Sequence, residues 1–118
     1  MKRTDIIQSL IDKVGAENYL EVGVSAGENF RDIKCKNKVG VDPEPSTPAT
    51  IHIDSDSFFK DNKRTFDVIF IDGLHHADQV YRDINNSLAI LNDKGFIVCH
   101  DMNCLLYTSD AADDVISV

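Results

Sequence analysis

YLEVGVSAGENF, residues 19–30, decides the fold. Tyr19, Leu20 and Val22 make an apolar run broken by a single acid, Glu21, and the run ends at Gly23. Gly27 follows four residues later, and the polar stretch after it has the character of a helix start. A strand that passes through small residues into a helix is a strand–turn–helix unit. Glycines at such a turn let a ligand come close to the backbone.

The pattern repeats on both sides of this stretch. Ile6, Ile7, Leu10, Ile11 and Val14 recur at helical spacing. Thr4 is the expected N-cap and Gly15 the expected stop. Residues 18–24 then form the first strand and residues 28–33 a short helix. KVGVD, residues 38–42, is a second strand ending in Asp42, and Pro43, Pro45 and Pro48 force a loop after it. TIHID, residues 50–54, alternates like a third strand. FDVIFID, residues 66–72, is nearly continuous apolar, as a strand buried on both faces must be. Residues 77–91 are the clearest helix, with Val80, Ile84 and Leu88 in one row. Residues 92–95 form a turn, and FIVCHD, residues 96–101, is the fifth strand.

Strands alternating with helices predict an α/β fold, a doubly wound parallel sheet with helices on both faces. Ligands in such folds bind beyond the carboxyl ends of the strands. Gly23, Asp42, Asp54, Asp72, His100 and Asp101 all fall at expected strand ends.

Composition narrows the function. The 118 residues suit one domain, with 42% hydrophobic and 27% charged residues. A formal charge of −8 argues against nucleic acid and against an anionic membrane surface as partners. No stretch is long enough to span a bilayer, and the N-terminus has no apolar signal core. Cys35, Cys99 and Cys104 are far apart and odd in number, which fits a reducing cytoplasm and no disulfide framework. Cys35 and Cys99 read as buried small apolar groups.

The glycine loop, Glu21-x-Gly23-x-x-x-Gly27, is neither GxGxxG nor a phosphate loop, since no lysine follows Gly27. Pyrophosphate is therefore not the natural guest. Asp42 lies 19 residues after Gly23, where a carboxylate accepts hydrogen bonds from the vicinal hydroxyls of a ribose. The same residue type also caps turns before proline. Loop and acid together favour a nucleoside cofactor without pyrophosphate, and S-adenosylmethionine fits that description.

With YLEVGVSAGENF, KVGVDPEP, SDSFF, FDVIFIDGLHHADQVYRDINNSL and GFIVCHDMN in view, residues 19–103 resemble a class I S-adenosylmethionine-dependent methyltransferase of family 24. The resemblance implies a Rossmann-like sheet of order 3-2-1-4-5. It implies that Glu21, Gly23, Ser25 and Gly27 line the methionine part of the cofactor and that Asp42 holds the ribose. It puts Ser55 or Asp56 near the adenine, and Asp72 is a further cofactor-binding candidate. Val24 and Ser25 depart from the wider class, where a glycine is common. The implied reaction is methyl transfer to a small-molecule acceptor, a hydroxyl by preference.

If the strands ending at Asp72 and at His100–Asp101 are neighbours, these three side chains share one crevice. Two carboxylates and an imidazole suit magnesium or manganese, which would lower a hydroxyl's pKa and orient it. The alternative is that Asp72 binds the amides at Gly73 and that His100 is a packed polar residue. His75 is the candidate general base, ahead of His76, because imidazole titrates near neutral pH.

The last stretch changes character at Cys104. CLLYTSDAAD, residues 104–113, matches one translated frame of a common transposase-based sequencing adapter. The expectation is a native N-terminal fragment over 1–103 and a foreign tail over 104–118, with the 118-residue chain itself inactive. That tail either stays loose or adheres to the sheet edge beyond the last native strand. Two rivals remain beside the methyltransferase: a nucleoside-binding module without catalysis and an NAD-dependent oxidoreductase. The sequence names neither the acceptor nor the oligomeric state.

Overall fold

The computed structural model of the chain describes residues 2–72, 77–100 and 115–118. The expected general base His75, its neighbour His76, and Gly73, Asp101 and Cys104 lie outside these residues. The described elements run α1 (Arg3–Val14), β1 (Asn18–Val22), α2 (Glu28–Asp32), β2 (Asn37–Val41), α3 (Ser55–Asp61), β3 (Phe66–Ile71), α4 (Ala77–Ala89), β4 (Leu91–Cys99) and β5 (Val115–Ser117).

The strands form one sheet in the order β2-β1-β3-β4-β5, and every pairing is parallel. Parallel strands need crossovers, and from β1 to β4 the helices α2, α3 and α4 supply them. Alternation along each strand sorts side chains between the two faces. Leu20, Val22, Val39, Val41, Ile69 and Ile71 face one apolar cluster together with Phe58, Val80 and Ile84 of α3 and α4. Tyr19, Val68, Phe70 and Val98 face a second cluster with Ile7 and Ile11 of α1 and Phe30 of α2. Burying both faces is what makes these strands read as continuous apolar runs.

Several local expectations need correction. The third expected strand, residues 50–54, contracts to a single parallel bridge between Ile51 and Val41. It keeps its place beside β2, through Ile51 N donating to Gly40 O and Asp42 N to Ile51 O. The ladder stops because Asp54 turns away to cap α3, its side chain accepting from Ser57 N at 2.7 Å. Thr4 is not the N-cap of α1; the helix starts two residues earlier, at Arg3 after Lys2, and Thr4 reaches toward α2 instead. Gly15 does end that helix, with φ 64°. The turn expected at 92–95 is a register shift inside β4, where Lys94 takes φ 68°. Cys99 is buried as expected, but Cys35 is half-buried and its Sγ donates to Ala16 O.

Residues 115–117 pair with Ile97, Val98 and Cys99, and Val115 joins the α3/α4-side core. The end of the chain thus lies on the sheet edge beyond β4.

Candidate functional site

The carboxyl ends of β1, β2 and β3 meet at the glycine loop. Gly23 and Gly27 have φ of 88° and 83°, the left-handed region where only glycine is unstrained. A side chain on Gly27 would also collide with the Pro48 ring, so the prolines after β2 pack directly on this loop. Ser25 takes φ 52° without being glycine. Its strain, on the order of 1–2 kcal/mol, is held by a hydrogen bond from its N–H to Asp42 Oδ2 at 2.9 Å.

Asp42 is buried, and its other oxygen, Oδ1, accepts from Glu44 N at 3.0 Å. The carboxylate thus both orders the turn and ties β2 to the glycine loop. A carboxylate offers about four lone-pair sites, and these two bonds use two. Asp42 lines a cleft of about 670 Å³ together with Gly23, Ser25, Glu44, Thr47 and Asp72.

Two smaller cavities open from the same loop, since Gly23 lines all three. One, of about 230 Å³, lies toward Pro43, Ser55, Gln79 and Asp83. There Ser55 Oγ donates to Asp83 Oδ1 at 2.7 Å and Gln79 Nε2 donates to Ser55 Oγ at 3.0 Å. Asp56 does not line this cavity; it turns outward to an ion pair with Arg82 at 3.4 Å. Of the two residues expected near an adenine, Ser55 is the one brought to the cleft.

The other cavity, of about 190 Å³, lies on the α1 side and holds Glu21. Glu21 is 1% exposed. Tyr19 Oη and Asn29 Nδ2 both donate to its Oε1, at 2.6 and 2.7 Å, and Thr4 Oγ1 donates to Asn29 Oδ1 at 2.7 Å. Burial pushes the Glu21 carboxyl up to about 7, against the opposing effect of those donors and of the Arg3 charge. Burial likewise pushes the Tyr19 hydroxyl well above its ordinary value. Sequence reasoning missed Tyr19 and Asn29. The signal for Tyr19 was available, because residues i and i+2 of a strand share a face.

Asp72 and His100 follow β3 and β4, which are adjacent, and His100 N donates to Ile71 O at 3.1 Å. Asp72 is 5% exposed, and its Oδ1 is buried without a hydrogen-bond partner among the described residues; His100 Nδ1 is in the same condition. These two strand ends are therefore neighbours, and Asp72 lines the cleft. Among the described residues no group of three or more His, Cys, Asp or Glu gathers as a metal site, and Asp101 lies outside them.

A parallel sheet carrying a glycine loop after β1 and a ribose-type acid after β2 is the setting in which the sequence comparison speaks. The profile of the methyltransferase domain, family 24, matches residues 23–102, more than half of the chain. The chain belongs to this methyltransferase domain family. Methyl transfer in the family depends on S-adenosylmethionine in general, and the methyltransferase fold observed is the one the resemblance implies. No curated protein matches the chain.

Proposed function

We propose that the domain binds S-adenosylmethionine in the cleft around Gly23 and methylates a small-molecule acceptor, by preference at a hydroxyl. The single observation that carries this reading is Asp42, held at the end of β2 by Ser25 N and Glu44 N and lining the cleft beside Gly23. In this reading Asp42 accepts from both ribose hydroxyls, Ser55 borders the adenine, and Gly23, Ser25 and Gly27 carry the arm. The bound cofactor supplies an electrophilic methyl group.

The chain's own residues supply the rest. Asp72, His100 and Asp101 would hold a magnesium or manganese ion that orients the acceptor and makes its hydroxyl more acidic. The two orphaned atoms at neighbouring strand ends support that part. His75 takes the proton the acceptor hydroxyl loses as its oxygen bonds to carbon. The acceptor's compartment is the cytoplasm in this reading; among the described residues no helix is long and apolar enough to cross a membrane.

Parallel titrations with S-adenosylhomocysteine and with NADH test the proposal. Saturable binding of the first and none of the second is expected. Preference for NADH would replace the methyltransferase reading with the oxidoreductase.

A further inference from the structure

We propose that Arg3, in the first turn of α1, binds the carboxylate of the cofactor's amino-acid arm and makes the site selective for a zwitterionic arm. This rests on the S-adenosylmethionine reading above and extends it to a residue outside the glycine loop.

The cavity on the α1 side is enclosed by the start of α1, the glycine loop and the ends of β1 and β3. Its charged lining is uneven. Glu21, Glu28 and Asp72 are acids, and Arg3 is the single cation among the described lining residues. Three acids attract an ammonium group. A guanidinium set among them gives the same cavity a place for a carboxylate, which it binds through two parallel N–H donors. A zwitterion satisfies both signs at once, whereas an uncharged arm satisfies neither.

Arg3 is placed for this role. It is half-buried, and its guanidinium lies 5.7 Å from the centroid of the Phe70 ring, an aromatic floor that limits its wandering. The next residue, Thr4, is bonded to Asn29, which in turn is bonded to Glu21. The first turn of α1 is thereby fastened to the buried acid and to α2. Among the described residues no hydrogen bond and no ion pair occupies the Arg3 donors, so they are free for a ligand. Asp72 Oδ1, which borders the same cavity, is also without a partner among the described residues.

A simpler role for Arg3 would be to favour the ionised form of Glu21, and the test separates the two. Calorimetry compares S-adenosylmethionine with its decarboxylated analogue, which keeps the amine and the sulfonium and lacks only the carboxylate. The 118-residue chain and its Arg3→Gln and Arg3→Lys variants are titrated with each. Wild type should bind the complete cofactor about 10- to 100-fold more tightly than the analogue. Arg3→Gln should weaken the complete cofactor by a similar factor and leave the analogue within twofold, with Arg3→Lys in between. Equal weakening of both ligands, or no change for either, would overturn the assignment while leaving the methyltransferase reading standing. Wild type that binds neither ligand would overturn the methyltransferase reading itself, and this inference with it.

Discussion

The two halves of the sheet's carboxyl edge treat their acids differently. On the half formed by β1 and β2, Glu21 and Asp42 are buried and hydrogen-bonded within the protein, Glu21 by Tyr19 and Asn29, Asp42 by two backbone amides. On the half formed by β3 and β4, Asp72 Oδ1 and His100 Nδ1 are buried with no partner among the described residues. Leaving a buried polar atom unpaired costs about 1–3 kcal/mol, so a fold keeps such atoms where something else pairs with them. The first half is shaped in advance, as a cofactor cradle needs to be. Among the described residues the second half holds unmet bonding capacity, which supports the acceptor and cation site proposed there.

The largest expected effect breaks the first half. Asp42→Ala removes the ribose acceptor, worth roughly 1.5–3 kcal/mol, and two loop hydrogen bonds at about 1 kcal/mol each. Calorimetry with S-adenosylhomocysteine should show a loss of tenfold or more. Unchanged affinity would remove Asp42 from the cradle and erase the contrast between the halves.

Next comes the pH dependence of Glu21. Its carboxyl stands at about 7 in the folded chain against 4.5 as the ordinary value, so the folded state binds its proton more tightly. That contribution to stability is full below about 4.5 and is lost as pH rises to about 7. Glu21→Gln keeps an oxygen for the Tyr19 and Asn29 donors and has no proton to lose. Relative to wild type, the variant should gain about 2.5 kcal/mol between pH 5 and pH 8 in chemical denaturation. A parallel pH profile for the two proteins would show that Glu21 carries no such penalty.

The smallest effect sharpens the second half. Among the described residues nothing bonds to Asp72 Oδ1, so Asp72→Asn should alter thermal stability by no more than about 1 kcal/mol. Destabilisation well beyond that would mean that Asp72 is a structural anchor like Asp42, and the two halves would no longer differ.

Much of this was legible in the sequence because it is local. The glycine loop, the acid at the end of β2 and the apolar runs each declare themselves within a few residues, and the alternation of elements then dictates a parallel sheet. What was not legible depends on partners far along the chain. Thr4 looked like a helix cap because its type favours that role, yet it bonds to Asn29, 25 residues away. Residues 50–54 alternate as a strand does, but Asp54 is also a good helix cap, and the cap won. Ser55 and Asp56 were equivalent in sequence; Ser55 bonds to Asp83 and lines a cavity, while Asp56 pairs with the exposed Arg82. Arg3 gave no signal, since only packing on Phe70 brings it to the cleft.

The most direct test of the central claim is a crystal structure of the chain with S-adenosylhomocysteine bound. Both ribose hydroxyl oxygens should lie about 2.5–3.0 Å from the Asp42 carboxylate, beside Gly23, with Ser25 N still bonded to Asp42. A ribose found elsewhere, with Asp42 bonded only to the backbone of its own turn, would contradict the account.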